Sequence, residues 1–374
     1  MVTIKDIANR LGISVSTVSK GINGASDISD ELRQQVLDTA IEMGYRSKRM
    51  RREQNKRLCI FIENMSYESD AQFGYELVLG FRQAALRDNW DVTVIPVTPE
   101  LQQKERYDVY MLKNGYSGAF LLGFALQDDW MEQFSSTTIP TVLLDNYIPK
   151  NPHVSYIGTD NYEGIDLAVA HLAELGHTRI AFLNGSPYSL VSDQREQAFL
   201  RSMESHHLTP DRNLMGQGYY VPESAKYHVS HFLENGATAI LCGSDLIASG
   251  VIAECQAHGF SVPEDISVTG FDDLPISAQL NPPLTTVRQD RAELGKCGYY
   301  TLHSLMRDVS ISRTLMRPQH GSAYFSLRFL RLMSLPRHRS QRKYHTHHFP
   351  RRALPQYLRH PPSHQGFSPL LCQS

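Results

Sequence analysis

Two short helices joined by a tight turn are predicted within residues 3–20, and this feature restricts the fold of the chain more than any other. The apolar face of the first helix recurs at i, i+3, i+4 and i+7, as Ile4, Ile7, Ala8 and Leu11. Gly12 follows this face, where a left-handed helix end favours glycine, and Ser14 suits the N-cap of the second helix. A helix-turn-helix of this kind is the geometry that carries a helix into the major groove of DNA.

The second and third helices complete a small headpiece. The second helix is short and rich in Ser and Thr, with Val15 and Val18 expected to share a face, so it has weak helix propensity and little apolar surface. Hydroxyl donors directed at phosphates and base edges explain such a helix better than packing does, although an ordinary three-helix bundle is the alternative. The third helix is predicted between an N-cap at Ser29 and an end at Gly44, and its buried face is Leu32, Val36, Leu37, Ala40 and Ile41.

Charge is strongly segregated along the chain, although its overall net charge is only −2. Residues 1–57 carry a net charge of +4, residues 58–308 carry −17, and residues 309–374 carry +11 without a single Asp or Glu. A basic end on an acidic body is typical of a protein that touches DNA at one end only.

The linker at residues 47–57 is strongly basic. With Arg46 it holds seven Lys or Arg residues within twelve positions, relieved only by Glu53. Because this strip adjoins the headpiece, we expect it to neutralise phosphates, with Arg49 and Arg52 among the contacts, and to make DNA affinity fall with salt. A solvated charged linker is the alternative.

Residues 58–319 alternate apolar runs with helical stripes, which predicts doubly wound parallel sheets. The predicted strands are 58–62, 92–95, 118–122, 140–144, 180–183, 239–242 and 266–270. A second series begins near Gly158 and the chain returns near residues 285–287. This predicts two lobes with a cleft between them, lobe 1 at about 58–157 and 288–317 and lobe 2 at about 159–287. In open α/β sheets, ligands bind beyond the carboxyl ends of the strands.

The chain resembles the LacI/GalR family of bacterial transcription regulators over about residues 1–319. In the headpiece, residues 1–46, the resemblance is carried by 2–8 (VTIKDIA), 14–19 (SVSTVS), 23–24 (NG) and 44–45 (GY). In the body it is carried by 159–164 (TDNYEG), 171–177 (HLAELGH), 270–273 (GFDD) and 283–287 (PLTTV). The resemblance implies an α + α/β fold, in which a three-helix headpiece precedes a two-lobed core like that of periplasmic binding proteins.

The resemblance also implies roles for headpiece residues. In the family, the positions of Val15, Ser16 and Lys20 read bases. The family grips the DNA backbone or caps helices at the positions of Thr3, Ser14, Thr17, Ser19 and Asn23. In the family's linker a proline usually follows the Gly-Tyr pair and a leucine wedges into the minor groove, but here Ser47 and Gln54 stand near those positions. We therefore expect binding that depends more on phosphates and less on bending.

An effector site between the lobes is implied by the same resemblance. Residues 195–199 (REQAF) match the family's Arg-x-x-Gly-Phe element, with Ala198 in place of glycine, and the family's arginine grips an effector hydroxyl or carboxylate. A surface arginine on a helix is the alternative for Arg195. Asp272 matches the family's ligand-binding aspartate, and Asp145 ends another strand that faces the same cleft. Carboxylates and an arginine fork suit a polyhydroxylated ligand such as a sugar.

Three further positions are expected at the effector site. Ser244 stands where many family members carry an asparagine, and its shorter side chain is expected to shift effector identity. Phe73 and Tyr220 match aromatic positions that flank the ligand, with packing at a lobe edge as the alternative.

The resemblance ends near residue 320. The family continues there with a short apolar strand that completes the second lobe, whereas residues 320–374 are rich in His, Arg, Pro and Ser without one carboxylate. A shifted reading frame and a genuine basic arm that attaches to DNA nonspecifically are both open. Residues 322–333 could form a replacement strand, and we expect disorder from Pro336 onward.

We therefore expect a DNA-binding transcription regulator, a repressor rather than an enzyme. Its expected partners are operator DNA, a small effector, which we expect to be a sugar, and a second copy of the chain. Phosphate-loop, catalytic-triad and zinc signatures are missing, the five cysteines lack paired spacing, and no cofactor is expected. Without a signal peptide or a membrane-spanning run, a cytoplasmic location is expected. A sugar-binding or transport-type module and a sugar-metabolising α/β enzyme are the alternatives.

Overall fold

The computed structural model describes residues 2–23, 25, 27–45 and 56–320. Two predicted segments lie outside the described residues: most of the basic linker, with Arg49 and Arg52, and the tail after residue 320.

Three helices that share one apolar core form the headpiece. They are α1 (Ile4–Leu11), α2 (Val15–Asn23) and α3 (Asp30–Glu42). Gly12 ends α1 with φ 68°, and Ser29 caps α3 by accepting a hydrogen bond from Leu32 N at 3.2 Å. Ser14 Oγ accepts a hydrogen bond from Thr17 N at 3.0 Å at the start of α2. The turn and cap predictions for this region are therefore confirmed.

Lobe 1 is a six-stranded parallel sheet with helices on both faces. In spatial order its strands are β11 (Arg313–Met316), β5 (Val154–Thr159), β4 (Thr141–Leu144), β3 (Ala119–Leu122), β1 (Arg57–Ile62) and β2 (Asp91–Pro96). Its helices are α4 (Phe73–Arg87), α5 (Pro99–Lys104), α6 (Tyr107–Asn114), α7 (Asp129–Gln133) and α13 (Arg291–Leu305). After Arg57 at the start of β1, the residues of the central strands β1, β3 and β4 are buried and, apart from Thr141, apolar, as a sheet covered on both faces requires.

Lobe 2 has a second six-stranded sheet. In spatial order its strands are β12 (Gln319–His320), β10 (Thr285–Arg288), β9 (Ser267–Asp272), β8 (Ala239–Cys242), β6 (Ile180–Asn184) and β7 (Met215–Gln217). All pair in parallel except β12, which runs antiparallel to β10. Its helices are α8 (Asn161–Glu174), α9 (Leu190–Ser205), α10 (Val229–Glu234), α11 (Asp245–Ala257) and α12 (Pro275–Gln279), with 3-10 helices at Arg212–Leu214 and Pro222–Tyr227.

The chain passes between the lobes after β5, after β10 and after β11. The predicted α + α/β architecture of parallel sheets is confirmed.

Sequence reasoning missed β5, because its residues 154–159 mix polar and apolar side chains although all six are buried. The carboxyl ends of β4, β5 and β9 carry or adjoin the side chains considered below.

Candidate functional site

The exposed face of α2 carries the side chains predicted to meet DNA. Val15, Ser16 and Lys20 are all exposed, and Val15 is 49% exposed, whereas Val18 is fully buried in the headpiece core. The two valines are three residues apart, a step of about 60° around the helix, and of the two only Val18 reaches the core. An apolar side chain left in solvent on so short a helix is available for a base edge.

The hydroxyl groups around α2 form a connected network. Ser14 Oγ lies 2.6 Å from Ser16 Oγ and 2.8 Å from Thr17 Oγ1, and Asn23 Nδ2 donates to Ser19 O at 2.7 Å. These bonds fix the rotamers of the polar face before any ligand arrives. Lys20 makes an exposed ion pair with Asp27, which is weak and exchangeable in water.

Thr3 also has a defined role within the headpiece. It forms a capping box with Asp6: Asp6 N donates to Thr3 Oγ1 at 3.3 Å and Thr3 N donates to Asp6 Oδ2 at 2.7 Å. Thr3 Oγ1 also donates to Asp6 Oδ2 at 2.7 Å, and this hydrogen bond, together with the one from Thr3 N, lowers the pKa of the Asp6 carboxyl group. Thr3 therefore fixes the N-terminus of α1.

The headpiece contacts lobe 1 through α3 and α6. Val109 and Leu112 of α6 belong to the same apolar cluster as the headpiece residues Leu37 and Tyr45. Beside this cluster, Arg106 Nη1 lies 2.7 Å from Asp38 Oδ1. The contact leaves the face of α2 that carries Val15 exposed.

The end of the basic linker binds lobe 1. Lys56 Nζ donates to Asp88 O at 3.3 Å, and Arg57 Nη1 donates to Asn114 O at 2.9 Å. The Arg57 guanidinium also lies 4.7 Å from the ring centroid of Tyr116. For these two cations, the expectation of a strip free to neutralise phosphates is corrected, because they bond to carbonyl groups at the C-terminal ends of α4 and α6 in lobe 1.

A carboxylate, a phenol and a glycine meet at the carboxyl ends of β4 and β5. A Cβ built on Gly158 would lie 2.5 Å from Asp145 Oδ1 and 2.5 Å from Tyr156 Oη, so only glycine leaves room for both groups. The pKa of Asp145 is raised to about 7: burial is the main cause, Arg195 opposes the rise, and the negative charge of Asp272 adds to it. Asp145 also has φ 58°, an uncommon backbone conformation for a residue other than glycine.

Arg195 is a buried cation at the opposite wall, in lobe 2. It is only 3% exposed, so the alternative of a surface arginine is wrong. Its Nε donates to Asn161 Oδ1 at 2.8 Å, its Nη1 donates to Gly243 O at 2.5 Å, and its guanidinium stacks 3.7 Å from the ring centroid of Phe271. Three kinds of contact thus hold its planar group in one orientation.

Asp272 ends β9 in a strained backbone conformation with φ 123°. Its Oδ1 accepts a hydrogen bond from Gln289 Nε2 at 2.7 Å. Burial raises the pKa of Asp272 to about 6, while Arg195 and the Gln289 hydrogen bond oppose the rise. The charges of Asp145, Arg195 and Asp272 therefore act on one another across the two lobes.

The other predicted effector residues differ in burial: Ser244 is buried, whereas Tyr220 and Phe73 are half-buried. Ser244 is 2% exposed, and its Oγ accepts from Ile247 N at 3.2 Å as the N-cap of α11. Tyr220 is half-buried, with its Oη 3.0 Å from Ser192 Oγ. Phe73 begins α4 and packs at the edge of the lobe 1 core.

Sequence reasoning missed several groups of this cleft. They are Tyr156, Asn161, Gln194, Gln289 and Arg291. Asn161 lies within the motif 159–164, so the motif could have indicated it, whereas Tyr156 and Arg291 carry no signal in the sequence. Within the ranges described, no group of three His, Cys, Asp or Glu side chains could hold a metal ion.

Comparison with known proteins adds to this geometry. Residues 3–48 match the bacterial regulatory proteins of the lacI family, and residues 169–320 match a periplasmic binding protein-like domain. The HTH-type transcriptional regulator reg1 of Streptomyces lividans is 30% identical over 314 residues, which cover 80% of this chain and 88% of that protein. The chain belongs to the LacI family of bacterial regulatory proteins. The HTH-type transcriptional repressor PurR of Actinobacillus pleuropneumoniae serotype 3 (strain JL03) is 29% identical over 321 residues, covering 85% and 94% of the two chains.

A solved structure of the LacI family agrees with the fold. The lac repressor dimer bound to operator and the anti-inducer ONPF matches with a TM-score of 0.60 and 25% identity, covering 85% of this chain and 97% of that chain. The LacI-family chain described here is therefore a DNA-binding transcription regulator with a ligand-binding core, as its sequence predicts. None of the helices in its described residues is long and apolar enough to cross a membrane.

Proposed function

We propose that this regulator represses transcription from a two-fold symmetric operator as a cytoplasmic homodimer, and that a sugar bound between the lobes changes its operator affinity. Val15, Ser16 and Lys20 would read base edges. The DNA backbone would be held by Thr3, Ser14, Thr17, Ser19, Asn23, Arg49 and Arg52. Two headpieces related by the dimer axis would occupy successive half-sites.

The observation that carries the effector proposal is the split of one charge cluster between two lobes. Asp145 belongs to lobe 1, whereas Arg195 and Asp272 belong to lobe 2, and their charges act on one another. A ligand that bonds to all three has a different affinity for each arrangement of the lobes. Linkage then requires that it change the equilibrium between those arrangements, which is the only way it can alter DNA affinity.

The chemistry of the cluster favours a neutral ligand with many hydroxyl groups. Two carboxylates accept hydrogen bonds and one arginine donates them, and sugar hydroxyls can do both. An anionic ligand is disfavoured, because two carboxyl groups would repel it. The one arginine that could attract it already donates hydrogen bonds to Asn161 and Gly243. In this proposal Phe73 and Tyr220 flank the sugar ring, and Ser244 shapes the floor of the site through α11.

A sugar-binding or transport-type module without a DNA role, and a sugar-metabolising enzyme, are the competing functions. Neither explains a headpiece whose short α2 leaves Val15, Ser16 and Lys20 in solvent. Relatives of the chain are also regulators of transcription rather than enzymes.

The experiment has two arms. A gel-shift assay with the full chain and DNA from its neighbouring promoter should give a specific complex that Ser16→Ala weakens, since each lost base contact costs about 1–3 kcal/mol. A thermal-shift screen of sugars and nucleobases should raise the melting temperature with a sugar, because a ligand specific for the native state stabilises it. The Arg195→Met variant should lose that rise, and stabilisation by a nucleobase alone would contradict the sugar assignment.

A further inference from the structure

Arg291 occupies a position that helix formation alone does not explain. It is the first residue of α13, directly after the N-cap Asp290, and is only 4% exposed. A cation at this end meets the positive pole of the helix dipole, and burying its charge costs further free energy. Both costs require compensation from the groups around its guanidinium.

Those groups come from both lobes. Arg291 Nη1 donates to Asp272 O at 2.9 Å and to Asp273 O at 3.4 Å, both at the carboxyl end of β9 in lobe 2. Arg291 Nη2 lies 2.9 Å from Glu76 Oε2, on the first turn of α4 in lobe 1. The rigid fork of one guanidinium thus bonds to the backbone of one lobe and to a carboxylate of the other.

The carbonyls that Arg291 holds belong to strained backbone. Asp272 has φ 123°, which is strained for a residue other than glycine, and Asp273 has φ 56°, a left-handed conformation that is uncommon but that aspartate tolerates. The same backbone sets the direction of the Asp272 carboxyl group in the cleft. We therefore expect a movement of that carboxyl group to shift the two carbonyl groups.

On the side of lobe 1, Glu76 lies on a helix that cannot move alone. A Cβ built on Gly80 of α4 would lie 2.1 Å from Ala292 O, and one built on Gly295 of α13 would lie 2.1 Å from Leu77 O. The backbones of α4 and α13 are therefore in direct contact. A displacement at Glu76 reaches both helices.

We propose that Arg291 is a positioning residue that connects the effector carboxyl group Asp272 to α4 through Glu76. This inference rests on the proposed role of Asp272, but the connection itself is a property of the unliganded chain. Gln289 makes a different connection. Its Nε2 donates directly to the Asp272 carboxyl oxygen Oδ1, and its Oε1 accepts a hydrogen bond from Thr159 Oγ1.

The test is hydrogen exchange of the full chain, without DNA or sugar. Arg291→Met should raise amide exchange about tenfold in two separate segments, residues 272–274 and 73–80, because lost hydrogen bonds to a charged group open the structure locally. Glu76→Gln, a change at a half-exposed side chain, should raise exchange at 272–274 as well, although Glu76 lies in the other lobe. Arg291→Lys should recover part of the protection. Lys296→Met is the matched control, because Lys296 is on the same helix and its ammonium group pairs with Glu293 of that helix.

A second comparison measures the connection itself. Asp272→Asn should alter exchange at residues 73–80 in the natural chain and leave it unchanged in the Arg291→Met chain. Unchanged exchange at 272–274 in Glu76→Gln, or an equal response to Asp272→Asn in both chains, would overturn the proposal. If Arg291→Met does not fold, the Glu76→Gln result decides alone. These readouts need neither operator nor effector, so their failure is separate from a failure of the proposed function.

Discussion

Removal of the cation at Arg195 should destabilise the chain more at high pH than at low pH. Arg195 donates two buried hydrogen bonds and stacks on Phe271, so we expect Arg195→Met to cost about 3–5 kcal/mol, the usual effect of removing one member of a buried charged cluster. The same change removes the charge that opposes the raised pKa values of Asp145 and Asp272.

The sign of the pH effect follows from those two carboxyl groups. Their folded pKa values, about 7 and about 6, already lie above the ordinary value of 3.8, so the folded state holds protons that the unfolded state releases. The contribution of these two carboxyl groups to the free energy of unfolding is fully present below their pKa in the unfolded chain. It is lost as the pH rises through their pKa values in the folded chain. Without Arg195 the folded pKa values rise further, and this loss extends above pH 7.

We expect the cost of Arg195→Met to be about 1–2 kcal/mol greater at pH 8 than at pH 6, since one pKa unit corresponds to about 1.4 kcal/mol. Urea unfolding at the two pH values measures the difference. Arg201→Met, an exposed arginine on the same helix α9, is the matched control and should cost less than about 1 kcal/mol at both. An equal cost of Arg195→Met at pH 6 and pH 8 would refute the charge cluster.

Three further outcomes follow from the structure. Val15→Ala should weaken specific operator binding by about 1–3 kcal/mol without changing the melting temperature, because Val15 is half exposed; a binding isotherm and a thermal melt check this together. Leu112→Ala should cost about 2–5 kcal/mol at the contact between headpiece and lobe 1, whereas Arg106→Ala beside it should cost less than about 1 kcal/mol in urea unfolding. Burial raises the pKa of Glu63 to about 8, so folded stability should fall as pH rises from 4.5 to 8, and Glu63→Gln should flatten that decline in urea titrations across the range.

Much of the fold was predictable from local patterns. The stripe of α1, the cap at Ser29 and the buried runs of β1 and β8 each depend on residues that lie close together in the sequence. Strand β5 was not predictable in this way, because its serine and tyrosine interrupt the apolar pattern, and its place between β4 and β11 depends on residues far away in the sequence.

The candidate site was predictable only in part. Arg195 and Asp272 lie in recognisable motifs, but the sequence does not show that Arg195 is buried against Phe271. Arg291 and Glu76 are far apart in the sequence and meet only because α4 packs against α13. Similarly, the spacing of Val15 and Val18 suggested a common face, and the burial of Val18 alone separated their roles.

The most direct test of the account is operator affinity of the full chain measured with and without a sugar that stabilises it. We expect dissociation constants of about 10⁻⁸ M or tighter for a two-fold symmetric promoter site, changed about 5–150-fold by the sugar, with that change abolished in Arg195→Met. A chain that binds no duplex at low salt, or whose affinity is identical with and without every stabilising sugar, would contradict it.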